Sequence, residues 1–211
     1  MSKFHDYFQI AGMAFFLFVF VGRTLYLRFR KNINAVTLGA GKKGLQRLIE
    51  LSFFVWLALW IMEVFSYSLH IEFRGLPSFL NMRLIDALPV KLIGVILVVA
   101  GFAIFILALI AFGDSWRVGI DKKNPGDLVT TGIFSKSRNP IFVFLDLYFF
   151  GTFMINGTLV FLLFAMLVIV GLHYQMNQEE NALVKIHGQA YKDYCAGTGR
   201  YFTWRRISHN N

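Results

Sequence analysis

With 211 residues, 56% of them hydrophobic, 24 Phe and a mean hydropathy of +0.57, the chain is too apolar for a water-soluble domain. The single cysteine, Cys195, excludes an internal disulfide, and the five histidines are scattered without metal-ligand spacing, so no metal is expected. The formal net charge of +9 then needs a source, and the order of the chain supplies one.

Lys3 and Asp6 precede the first apolar run with no small-residue cleavage site after it, so no removable signal peptide is expected. Three apolar runs follow, from about Phe8 to Phe29, Leu48 to Leu69 and Val90 to Phe112. Each is close to the roughly 20 residues that cross a bilayer core. The fourth, Ile141 to Tyr174, is too long for one crossing and holds the turn dipeptide Asn156-Gly157 in its middle. It is expected to be a hairpin of two helices. The first arm, Ser137 to Ile155, has 19 residues and spans about 28 Å if its helix begins ahead of Pro140. The second arm, Thr158 to Tyr174, runs on into a polar extension.

The expected fold class is therefore all-α: a polytopic membrane helix bundle of about five transmembrane helices with a cytoplasmic C-terminal helical extension. No internal repeat interrupts it. The chain reads as one domain over residues 1–211, with two spans up to residue 89, a core over 90–194 and a basic tail over 195–211.

Five crossings put the ends of the chain on opposite sides. The connection Arg23 to Arg47 carries seven Lys and Arg, the loop Arg117 to Arg138 five, and the tail after Tyr174 another five. All three fall on one side, and the remaining four, Lys3, Arg74, Arg83 and Lys91, fall on the other. The positive-inside rule then sets the N-terminus outside and the C-terminus in the cytoplasm. The basic balance becomes topology and contact with anionic headgroups, with no nucleic acid needed.

Polar chemistry is concentrated in Gly113 to Arg138 and Gln175 to Asn211. A helical hairpin closed at Asn156-Gly157 brings its far ends together, which makes Arg138 a neighbour of Glu179 and Glu180. Read singly, these residues have structural roles. Asn139 and Pro140 suit a helix start, Arg138 suits snorkelling to lipid, and the two glutamates suit a solvated face. Read together, they make a pocket of one cation and two carboxylates at the membrane boundary. Asp146 and Glu63 are carboxylates well inside spans, and Asp146, two turns past Pro140, can face a substrate channel or be bonded within the bundle, with His173 as a partner. The final "GTGRYF" with Trp204 reads as an interfacial anchor outside this pocket.

The run "DLVTTGIFSKSRNPIF", followed one hairpin later by "QEENALVKIHGQAYKDY", resembles the isoprenylcysteine carboxyl methyltransferase and phospholipid methyltransferase superfamily of integral membrane enzymes. The likeness covers Gly113 to Tyr194. It implies S-adenosylmethionine as methyl donor, bound at the cytoplasmic surface, with a hydrophobic lipid or lipidated substrate entering from the bilayer. Carried over by motif, the cofactor contacts are Asp127, Leu128, Val129, Gly132 and Phe134 in the approach loop, then Arg138, Asn139, Pro140, Ile141 and Phe142, and finally Glu179. Arg138 suits the methionyl carboxylate, and Glu180 is the nearest candidate base, which makes these two the expected catalytic residues. Gln175 and Asp146 are the expected substrate contacts.

Three positions depart from the family pattern: Asn139 stands for the usual His, Phe142 for Tyr, and Gln175 for the Arg that meets a prenylcysteine carboxylate. Asn139 cannot titrate near neutral pH, so an imidazole base is excluded there. Two other readings stay open, an NADPH-dependent membrane reductase of similar architecture and a non-catalytic membrane protein that retains the fold.

Overall fold

The computed structural model describes residues 2–36, 44–71, 77–116 and 127–203. Among these residues every regular element is helical: α1 (Ser2–Lys31), α2 (Gly44–Ser68), α3 (Leu88–Phe112), α4 (Pro140–Asn156), α5 (Leu159–His187) and α6 (Gln189–Gly197), with 3-10 turns at Ser78–Asn81, Gly113–Ser115 and Gly132–Ser135. Three helices are long and apolar enough to cross a membrane, within Lys3–Lys31, Leu88–Ser115 and Leu159–His187. Two shorter apolar helices, Phe54–Ser68 and Pro140–Asn156, lie where the other two of the five spans were expected. The protein is an all-α integral membrane bundle.

The chain gathers into two compact units, one built mainly from residues 1–84 and the other from Ile85 onward apart from short excursions. In the first, α1 packs on α2 around Met13, Phe16, Leu27, Trp60 and Val64. Glu63 is buried in it. Near the chain's turn toward the second unit, the carboxylate of Asp6 lies 3.4 Å from His70, and Arg83 donates to the hydroxyl of Tyr67 at 3.4 Å.

In the second unit α3 and α4 run antiparallel in close contact. The reason is small residues at the crossing. A Cβ on Gly94 would lie 2.6 Å from the carbonyl oxygen of Gly151, and a Cβ on Gly151 would lie 2.7 Å from that of Gly94. With no hydrophobic force to drive apolar helices together in lipid, such backbone approach lets dispersion hold the pair. Further along, the ring of Phe144 stacks on Phe105 at 4.5 Å, and Tyr148 lies 5.3 Å from Phe102.

The helix α4 begins at Pro140, three residues after the Ser137 with which the first arm was expected to start, and its 17 residues span roughly 25 Å. Two local causes account for the correction. A residue that precedes proline is disfavoured in the α region, and Asn139 accordingly sits at φ −132°, ψ 54°. The amide of Asn139 also donates to the hydroxyl of Ser137 at 3.1 Å, a compact turn in place of a helical one. At the other end Gly157 takes the left-handed conformation, φ 67° and ψ 19°, and its amide closes the helix on the carbonyl of Phe153 at 2.7 Å. Any Cβ there would collide with the carbonyl of Ile85, whose own amide donates to Gly157 at 3.1 Å. The turn expected at Asn156-Gly157 is therefore present. Beyond it α5 runs for 29 residues, roughly 43 Å, longer than a bilayer core, so that its last turns carry Glu179 and Glu180 beyond the apolar segment.

If the glycine crossing holds α3 to α4, Gly151→Leu should lower the stability of the detergent-purified protein by about 1–3 kcal/mol through overpacking. Gly171→Leu, at a helical glycine with open space around it, should leave the thermal midpoint unchanged. Equal midpoints for the two variants would contradict the packing argument.

Candidate functional site

The start of α4 and the end of α5 meet. Arg138 lies with its NH2 group 3.6 Å from Oε1 of Glu180, and Asn139 donates from Nδ2 to the same oxygen at 2.9 Å. The side chain of Asn139 thus makes no cap bond to α4, although its position is the N-cap. It spans instead between two helices. Glu180 is only 8% exposed, and a carboxylate so far removed from water needs donors on both oxygens.

The larger share comes from a residue that the hydrophobic and motif patterns leave out. Arg200 donates to Glu180 side-on, from NH2 to Oε2 at 2.6 Å and from Nε to Oε1 at 3.3 Å. This bond and the burial-opposed field of Glu180 hold the Arg200 guanidinium above its ordinary pKa. Arg200 reaches Glu180 because the segment after α6 folds back as a strap. The amide of Arg138 donates to the carbonyl of Gly199 at 3.0 Å, and the amide of Thr203 to that of Lys136 at 2.8 Å. The carbonyl of Arg200 accepts from Asn139 Nδ2 at 3.3 Å and from the Ser137 hydroxyl at 3.4 Å. The "GTGRYF" segment, expected as an interfacial anchor apart from these residues, bonds directly to them. A partial signal in the sequence was available in Gly199, where a Cβ would lie 2.4 Å from the carbonyl oxygen of Phe202, so that the chain can turn tightly just before Arg200.

The cluster has two guanidinium groups and one carboxylate. One N–H is left over, since Nε of Arg138 is sealed from solvent with no hydrogen-bond partner. The site therefore carries a net positive charge and a directional donor, the combination that binds a carboxylate or phosphate.

The other residues singled out from sequence lie around this cluster or apart from it. Pro140 is buried at the helix start, with Ile141 and Phe142 half-buried behind it. Glu179 turns aside and accepts from Nε2 of Gln175 at 3.1 Å, one turn back on α5. In the approach loop, Phe134 is buried edge-on against Phe112 at 4.5 Å, while Leu128 and Val129 keep partial exposure and Asp127 is exposed, its amide 3.4 Å from the Ser115 hydroxyl. Gly132, at φ 62°, starts the 3-10 turn in a conformation that favours glycine. Asp146 is half-buried two turns into α4, and its Oδ1 is enclosed without a hydrogen-bond partner. His173, one possible partner for it, shares a 3.2 Å contact with the hydroxyl of Tyr201. Among the described residues no three His, Cys, Asp or Glu side chains converge as a metal site would require.

Tyr194 fastens α6 to the approach loop, donating to the carbonyl of Phe134 at 2.6 Å. Burial raises its phenol above the ordinary value, against a lowering by Arg138. Because the folded value is the higher one, the contribution is complete below about pH 10, where the unfolded phenol titrates, and is lost as pH rises further. Tyr194→Phe should thus cost about 1 kcal/mol near neutral pH and flatten the loss of stability above pH 10 in thermal unfolding measured across pH.

With this geometry in place, comparison with known proteins is specific to one half of the chain. No curated protein matches it. Residues 90–190, from the start of α3 into α6, match the model of the phospholipid methyltransferase family. This segment is therefore similar to that family, in agreement with the superfamily of membrane methyltransferases that the sequence resembles.

Proposed function

We propose that the protein is an S-adenosylmethionine-dependent membrane methyltransferase that acts on a lipid or lipidated substrate. The observation that carries this reading is the sealed, unpartnered Nε–H of Arg138 in a cluster of net charge +1. Such a group fits the methionyl carboxylate of the cofactor, at the junction where the matched family segment joins α4 to α5. When bound, the cofactor would supply an electrophilic methyl group, the carbon–sulfur bond breaking as the acceptor bonds to that carbon and S-adenosylhomocysteine leaving as the neutral sulfide.

The chain's part is alignment and exclusion of water. Arg138 fixes the carboxylate end. Leu128 and Val129, the apolar approach-loop residues with surface left to offer, cover the nucleoside, while Phe134 backs them from its packing on Phe112. Glu180, with both oxygens engaged by Arg200, Asn139 and Arg138, holds these three groups in register and leaves the acceptor to other residues. The enclosed oxygen of Asp146 is the nearest carboxylate on the membrane side of α4 and is assigned to the polar end of the acceptor. The Gln175–Glu179 pair, an amide donating to a carboxylate, offers nothing to a substrate carboxylate, which favours an acceptor without one. The Lys and Arg distribution supports an N-terminus outside and a cytoplasmic site.

Titration calorimetry of the detergent-purified protein with S-adenosylhomocysteine and, separately, NADPH tests the cofactor. Binding of the first alone is expected, weakened roughly tenfold or more in Arg138→Ala. NADPH binding would favour the reductase reading, and binding of neither would favour the non-catalytic one. Orientation is tested separately in a Cys195→Ser background, where a membrane-impermeant thiol reagent on intact cells should label Lys3→Cys and spare Gln189→Cys. The reverse pattern would invert the topology.

A further inference from the structure

Two arginines approach one buried carboxylate, and they do so unequally. Arg200 takes Glu180 with two contacts, the shorter 2.6 Å, whereas Arg138 stands off at 3.6 Å. Asn139 occupies the same Oε1 at 2.9 Å, between them. A guanidinium at 3.6 Å from a carboxylate whose oxygens are already satisfied gains little by closing in. We propose that Arg200 is a positioning residue: by saturating Glu180 it prevents Arg138 from collapsing onto that carboxylate and keeps it a cation available to the cofactor's carboxylate. This inference rests on the cofactor reading above.

The strap is built for that task. Its backbone is registered to the approach loop by the Arg138–Gly199 and Thr203–Lys136 bonds, and the Arg200 carbonyl is held by Asn139 and Ser137. The guanidinium is thus delivered to Glu180 from a fixed main chain, at little cost in side-chain freedom. Without Arg200 the cluster falls from net +1 to neutral, and among the described residues Arg138 becomes the one guanidinium within 4 Å of Glu180. A buried carboxylate that loses its main partner draws in the next cation available.

The charge argument separates two ligands. S-adenosylhomocysteine carries the carboxylate, and 5'-methylthioadenosine is the matching nucleoside without it. In calorimetric titrations Arg200→Gln should weaken S-adenosylhomocysteine by roughly tenfold and leave 5'-methylthioadenosine within about twofold. Adding Glu180→Gln to Arg200→Gln should restore the first affinity, because no carboxylate remains to capture Arg138. If Arg200→Gln does not fold, Arg200→Lys, which keeps the cation without the side-on geometry, carries the same comparison with a smaller separation.

Equal loss for both ligands would make the strap a purely structural clasp and overturn the proposal. So would tighter binding of S-adenosylhomocysteine in Arg200→Gln, or a double variant that shows no recovery. Wild-type protein that bound neither nucleoside would overturn the cofactor reading, and the inference with it. Wild-type binding that Arg200→Gln left intact would sink the inference alone.

Discussion

A carboxylate withdrawn from water has to be met by donors, and Glu180 at 8% exposure sets that demand on three separate parts of the chain. The start of α4 answers with Asn139 and Arg138, and the strap after α6 answers with Arg200. Each contact joins residues that are 20 or more positions apart in sequence. The ends of two helices and the returning strap are thus tied to one another by the same buried group. The hairpin turn at Gly157 fixes the far end of this arrangement. The buried acid fixes the near end.

Pro140 makes the arrangement possible by a local route. It keeps the residue before it out of the helix, and the Asn139 side chain, which makes no cap bond, turns instead toward α5. A histidine there, as in the family pattern, would bring a titratable ring next to Glu180. Asn139 brings a donor that keeps its hydrogen bond at every ordinary pH. The departure from the family pattern therefore preserves the link between the helices and removes a source of pH dependence from it.

Much of this was legible in the sequence for plain reasons. Apolar runs of bilayer length mark α1, α3 and α5, because a helix in lipid must satisfy its backbone internally. Asn156-Gly157 marks the hairpin because few other residues accept its left-handed turn. The closed hairpin then implies that Arg138 approaches Glu180, and it does. Arg200 was not legible in the same way. Its partner lies twenty residues upstream with no periodicity between them, and "GRYF" beside Trp204 has the composition of an interfacial anchor. The start of α4 was misplaced for another reason, since the arm was carried back to Ser137 to reach bilayer length, and a length requirement does not say where a proline lets a helix begin.

The pocket's rigidity follows from what lies beneath it. The helix that carries Asn139 and Pro140 at its head is held against α3 by backbone contact at Gly94 and Gly151, and by stacked rings from Phe144 to Phe105. An arginine whose neighbours are so fixed has little freedom to lose when a ligand arrives, and preorganised donors of this kind cost no reorganisation at the moment of reaction. Asp146 shares the same helix, roughly 9 Å further along. A single rigid rod thus separates a cationic group at the membrane boundary from an enclosed carboxylate within the span. On the proposed function, a charged water-borne donor and a lipid acceptor would meet α4 at two levels about two turns apart, both in its first half. The distance between them would be set by α4 rather than by the motion of any loop.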